Sequence, residues 1–177
     1  YFMFLIFVVL KITVSHAQGS YSIHYRPLLI KSDTESVKAG VDIVLAIKDS
    51  QSYTYYPGVN QFPPIKYPLG SSLLVKSTYM NINKKLILGP FGYYDEPKSH
   101  AIIIYEFPDN KWVITNEKKV ILGDTCIKAT GKVKGIETIA WFSPRLPAGF
   151  GIGFCVGLPG TVLESFWPER NMQFIAL

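Results

Sequence analysis

The feature that most constrains this chain is a period of two in its apolar residues, repeated in short runs that turn residues interrupt. From Ser20 to Arg26 the alternation is strict: Tyr21, Ile23 and Tyr25 fall on one side, Ser22, His24 and Arg26 on the other, as in a half-buried strand. Val41, Ile43, Leu45 and Ile47 repeat the pattern opposite Asp42 and Lys48, and only a partial helical spacing through Val37, Val44 and Lys48 competes. Further runs lie at 73–80, 84–88, 101–107, 111–115, 120–129, 132–142, 161–167 and 172–177. Pro108-Asp109-Asn110 separates two of them and predicts a hairpin. Four prolines between Tyr53 and Pro68 predict an irregular loop or edge, because proline cannot donate to a sheet ladder. No window carries a long amphipathic helix. The expected fold is mainly β: a curved antiparallel sheet or open half-barrel with few or no long helices.

Composition agrees. The 177 residues are 48% hydrophobic and 18% charged, with eleven Tyr, eleven Phe and three Trp. That balance suits a packed core and excludes disorder. Residues 2–10 are uninterrupted apolar sequence, too short for a membrane helix of about 20 residues. With Ser15 and Ala17 behind them, they read as the apolar part of a secretory signal cleaved after Ala17. The basic start of such a signal is missing and the last strand run is cut short, so the chain is expected to be truncated at both its N-terminus and its C-terminus. Residues 18–177 then form one β-rich domain, exported to the periplasm or the outer membrane, with no transmembrane segment. Cleavage removes Lys11 and no acid, lowering the net charge from +5 to +4. The densest basic cluster, Lys128, Lys132 and Lys134, is too sparse for a nucleic-acid groove.

Chemistry-bearing motifs are scarce. His24 and His100 stand alone, without the neighbours a metal site needs, and no cofactor or metal is expected. The glycines from Gly149 to Gly153 do not complete a phosphate-binding fingerprint and read as a bulge or sharp corner. Cys126 and Cys155 can form a disulfide across about 30 residues or remain two buried thiols. Tyr53, Tyr55, Tyr56, Phe62 and Tyr67 either cover the end of the sheet or offer aromatic faces to a peptide or glycan. No catalytic residue is assigned.

The last third is the distinctive part. It runs Lys111-Trp112, Lys119-Val-Ile-Leu-Gly123, Cys126-Ile-Lys128-Ala129, Ala140-Trp141-Phe142 before Pro147, and Gly157-Leu158-Pro159-Gly160-Thr-Val-Leu-Glu164. In this it resembles the GLPGLI family of Porphyromonas-type bacteria and other Bacteroidota. Thr161 and Val162 depart from the final Leu-Ile of that signature, Asp124 from a usual aromatic, Ile136 from a usual Arg and Ile152 from a nearby Pro. The resemblance implies an exported cell-envelope protein of unknown activity, with an outer-membrane or TonB-dependent receptor system as its expected partner. On its residues the signature is a turn, with Gly160 at a positive φ, followed by a strand. Val162, Glu164 and Phe166 are expected on one face of that strand, Leu163 on the other. Glu164 then wants a donor such as Arg145, Lys128 or a backbone N–H. Trp112 and Trp141 are expected in the core. The leading functional expectation is a module that binds a peptide, an apolar ligand or an outer-membrane partner. The alternative is a hydrolase-type enzyme using Glu164 or a cysteine.

Overall fold

The computed structural model describes residues 19–57, 77–90 and 102–177. The predicted leader, His100, Phe62 and Tyr67 lie outside the described residues. Among the described residues twelve strands form one open antiparallel sheet. They are β1 (Ser20–Ile30), β2 (Ser36–Lys38), β3 (Ile43–Lys48), β4 (Gln51–Tyr55), β5 (Ser77–Asn81), β6 (Leu86–Pro90), β7 (Ile102–Tyr105), β8 (Trp112–Ile121), β9 (Asp124–Val133), β10 (Ile136–Ser143), β11 (Thr161–Trp167) and β12 (Met172–Ala176). In space the order is β7-β6-β5-β4-β3-β1-β12-β11-β10-β9-β8, with β2 paired to β1. No helix among the described residues is long and apolar enough to cross a membrane.

β1 is the hinge of the sheet. Its first half, through Tyr25, pairs with β3, and its last part, from Leu28, pairs with β2. Pro27 sits where the partner changes, which is where a residue without an N–H costs a ladder least.

The runs expected at 120–129 and 132–142 each contain a turn that the period of two does not mark. Leu122-Gly123 and Lys134-Gly135 have φ of 50° and 81°, and 50° and 82°. Two successive positive φ values are the two-residue hairpin turn whose twist matches that of the flanking strands. β8, β9 and β10 are therefore a meander. The hairpin expected across Pro108-Asp109-Asn110 does not form: β7 pairs with β6, β8 pairs with β9, and they are the opposite edges of the sheet. The connection is pinned instead by Asn110, whose Nδ2 donates to the carbonyls of Phe154 at 2.8 Å and Val156 at 3.3 Å. Tyr53 and Tyr55, expected in an irregular loop, belong to β4.

The pleat gives the sheet two unlike faces. Residues directly opposite on neighbouring strands share a face, so the register traces rows across the sheet. One row, Ala129–Ala140–Ser165–Phe174–Pro27, is buried throughout. Another, Ile47–Ser52–Met80–Ile87, is buried on the other arm. The arms close over the segment between β10 and β11. Phe150 and Ile152 from that segment pack with Ile23, Tyr25, Leu45 and Leu163. Cys155 and Leu158 pack with Ala129, Phe142 and Val162, and Val156 with Met80 and Ile87. The core thus sits inside the curved sheet, with a glycine-rich segment threaded through it.

Candidate functional site

The signature residues make a corner at the end of that segment. Gly157 is exposed with φ +90°, a backbone that side chains rarely adopt. Leu158 is buried and Pro159 is exposed. The expected positive φ therefore belongs to Gly157. Gly160 is required for a different reason: a Cβ there would collide with the carbonyl oxygen of Ser143 and come within 2.9 Å of the Phe142 ring. The corner is held by the Gly149 N–H, which donates to Leu158 and Gly160 carbonyls at 2.8 and 3.2 Å. The Thr161 hydroxyl donates to the Pro147 carbonyl at 2.6 Å. Pro147, Gly157, Leu158, Pro159 and Gly160 are brought together, and their work is to seat β11 beside β10.

Beyond the corner the register contains a bulge. Trp141 lies opposite Glu164, but Phe142 lies opposite Val162, so Leu163 is an extra residue on β11. Val162 and Glu164 therefore point to opposite faces, contrary to the unbroken alternation expected from sequence. Val162 enters the core beside Phe142. Glu164 turns to the face of Trp141, where it is 7% exposed. Its partner is neither Arg145 nor Lys128 but Lys119, whose Nζ is 2.6 Å from Oε1 and 4.4 Å above the Trp141 ring. Lys128 bonds Glu117 at 2.8 and 3.0 Å. Arg145 pairs with Asp124 at 3.0 Å, and Asp124 also accepts from the Ser143 hydroxyl.

The other expected residues divide between the two faces. Ala129 is fully buried. Trp112 and Trp141, expected in the core, are partly buried and pack against two of its clusters. Trp112 covers Gly131, its cross-strand partner, where a Cβ would meet the indole at 2.9 Å, and its Nε1 donates to the Val156 carbonyl at 2.8 Å. Cys126 and Cys155 are free and buried in different clusters, so the disulfide left open by the sequence is not formed. Burial pushes the Cys126 thiol up to about 11 and the Cys155 thiol up to about 12, the reverse of what an activated nucleophile needs. Of the basic cluster, Lys132 pairs with Glu137 at 3.2 Å. The Lys134 ammonium lies 3.5 Å from the Phe154 ring centroid, and its partial desolvation lowers its pKa.

Sequence reasoning missed the surface that the register assembles. The row Lys128–Trp141–Glu164–Ile175–Arg26 crosses five strands on one face. Two residues along each strand, on the same face, runs Thr130–Ile139–Phe166–Gln173–Leu28, continued by Val113 on β8. Ile139, Phe166, Ile175 and Leu28 are partly exposed and lie outside the three core clusters. Most formal charges around them are paired within the chain: Lys119 with Glu164, Lys128 with Glu117, and Arg26 and Lys38 together with the one carboxylate of Asp42. Hydrogen bonds from Arg26, and then Lys38, hold the Asp42 carboxyl below its usual range. Only register could have revealed this surface, since its members come from six strands.

No family model matches the chain, and no curated protein does. Among solved structures it is similar to PNGF-II in a P21 crystal form, at a TM-score of 0.63 and 16% identity over 91% of this chain. The C2 form of PNGF-II gives a TM-score of 0.61 and 16% identity over 90% of the chain. The chain spans only 28% and 27% of those structures' length. At that identity the likeness is one of fold.

Proposed function

We propose that this chain is an exported, GLPGLI-type binding module of the cell envelope. It holds a protein partner on the outer face of the β8–β12 and β1 arm, and a TonB-dependent receptor system is the partner that the family resemblance implies. The observation that carries the reading is the row through Ile139, Phe166 and Leu28 with Ile175 beside it. Ile139 and Phe166 are direct cross-strand neighbours, Gln173 stands between Phe166 and Leu28, and Ile175 lies in the adjoining row of the same face; the four apolar side chains are partly open to solvent and outside the core clusters. Contiguous apolar surface rimmed by polar groups is the usual mark of an interaction site. The ion pairs of the rim leave a single net positive charge, where Arg26 and Lys38 share Asp42, so affinity should come mainly from apolar contact and change little with salt.

The hydrolase alternative finds less support. Glu164 is engaged by Lys119 at 2.6 Å, and the thiols are held protonated by burial. The test substitutes Ile139 and Phe166 singly with Asp and measures capture of the envelope partner by the full-length protein. Near-UV circular dichroism checks the fold. Loss of capture with an unchanged spectrum supports the reading; wild-type capture by both variants overturns it.

A further inference from the structure

A second surface lies on the opposite arm and takes no part in the proposed docking face. The register there places Ser22, Ala46, Tyr53 and Tyr79 in one row, and Ser20, Lys48, Gln51 and Asn81 in the next row of the same face. Ser22 and Ala46 are small, so the face is hollowed between them and the two tyrosines. The resulting groove has a volume of about 470 Å³, within the ~300–1,000 Å³ range of small-molecule sites.

Its walls are preorganised. Tyr79 donates its hydroxyl proton to Gln51 Oε1 at 2.8 Å and accepts from Asn81 Nδ2 at 3.3 Å, which fixes the ring. Tyr53, its direct cross-strand partner, is 47% exposed and packs 6.3 Å from Tyr55. A ring held in place, as Tyr79 is, reduces the entropy a ligand loses on binding. With Oε1 engaged, the Gln51 amide offers its N–H groups, and Ser20 and Ser22 add hydroxyls that both donate and accept. Among the described residues the lining carries one formal charge, Lys48, and no carboxylate.

From this chemistry we infer that the tyrosine groove of β1, β3, β4 and β5 is a binding site for a pyranose ring of a neutral saccharide. A pyranose presents a face of C–H bonds, which lies flat on an aromatic ring, and an edge of hydroxyls, which bonds to serine and amide groups. An anionic ligand would meet a single cation, a cationic ligand would meet no carboxylate, and a purely apolar ligand would strand the polar rim unpaired.

The test titrates mannotriose, chitotriose, cellotriose and an uncharged ten-residue peptide into the full chain, each to about 10 mM, because a lone shallow site is expected to bind in the ~mM range. At least one saccharide should bind, and Tyr53→Ala should weaken it at least tenfold. Ile139→Asp, on the other arm, should leave saccharide binding unchanged, which separates failure here from failure of the docking face. Tyr79→Phe, which keeps the ring but loses its anchoring hydroxyl, should weaken binding less than Tyr53→Ala does. The inference is overturned if no saccharide binds, if only the peptide binds, or if Tyr53→Ala binds as tightly as the wild type while its circular dichroism spectrum is unchanged.

Discussion

Two glycines of one tetrapeptide are glycine for different physical reasons, and they should respond differently to the same substitution. Gly160→Ala forces a Cβ into the Ser143 carbonyl, a backbone atom that cannot rotate away. Overpacking of that kind should cost about 3 kcal/mol. Gly157→Ala meets no atom within 4 Å and is penalised only by its φ of +90°, at about 1–2 kcal/mol. Urea unfolding midpoints of the two variants check the order. From sequence, the Gly-Leu-Pro-Gly string was legible as a turn, but which glycine carried the positive φ was not. That depends on where β10 ends, and the sequence does not mark it. Glu164 was legible as buried; its partner was not, because Lys119 reaches it from β8, with β9 and β10 between them. Lys119→Met leaves that carboxylate unpaired and should cost about 1–3 kcal/mol, below the range for a fully buried pair because the lysine stays partly in water. Glu164→Gln should cost less, since the amide keeps an acceptor for Lys119. The buried thiols add a dependence on pH. A thiol whose folded pKa lies above its unfolded value holds its proton more tightly when folded. Stability is therefore complete below the unfolded value of about 8.5 and falls as pH rises toward the folded one. Cys126 and Cys155, raised to about 11 and about 12, should steepen the alkaline loss between roughly pH 9 and 11. In Cys155→Ala that slope should be shallower; an unchanged slope in urea midpoints would remove the thiol from the account.

At the scale of elements, the alternation found the strands but not all of their ends. A period of two runs straight through Leu122-Gly123 and Lys134-Gly135, because a two-residue turn between paired strands preserves the count of apolar positions. Glycine at the second position was the one signal present, and a neighbouring Leu or Lys hid it. Leu122 sits at φ 50° and is largely exposed, a conformation that asparagine tolerates far better. Leu122→Asn should therefore stabilise the protein by about 1 kcal/mol, seen as a higher midpoint with an unchanged denaturant slope. The missed bulge has the same origin. Alternation assumes one residue opposite one, and a single extra Leu163 reverses the facing of everything beyond it. The hairpin wrongly expected between β7 and β8 shows the limit of local turn chemistry. Residues 106–111 contain neither turn nor bend; Asn110 is spent on the Phe154 and Val156 carbonyls, and the two strands pair elsewhere.

At the scale of the whole molecule, a curved sheet with one face around a core must leave its other face to solvent or to a partner. The fold class was legible in the sequence because pattern, aromatic content and turn spacing all pointed the same way. The outer surface was not, because it exists only once six strands are aligned. The account predicts unlike behaviour from neighbours on a single strand. Ala140→Lys buries a charge in the core and should unfold the protein, whereas Ile139→Lys, one residue away and facing outward, should shift stability by less than about 1 kcal/mol. The most direct test of the central claim is photocrosslinking of the full-length protein, in the cells that make it, from a benzophenone side chain placed at Phe166. The expected result is a discrete protein adduct from Phe166 that is absent when the same probe replaces Ile104, an exposed residue at the far edge. Identical adducts from both positions, or none from Phe166, would contradict a docking surface on the β8–β12 and β1 arm.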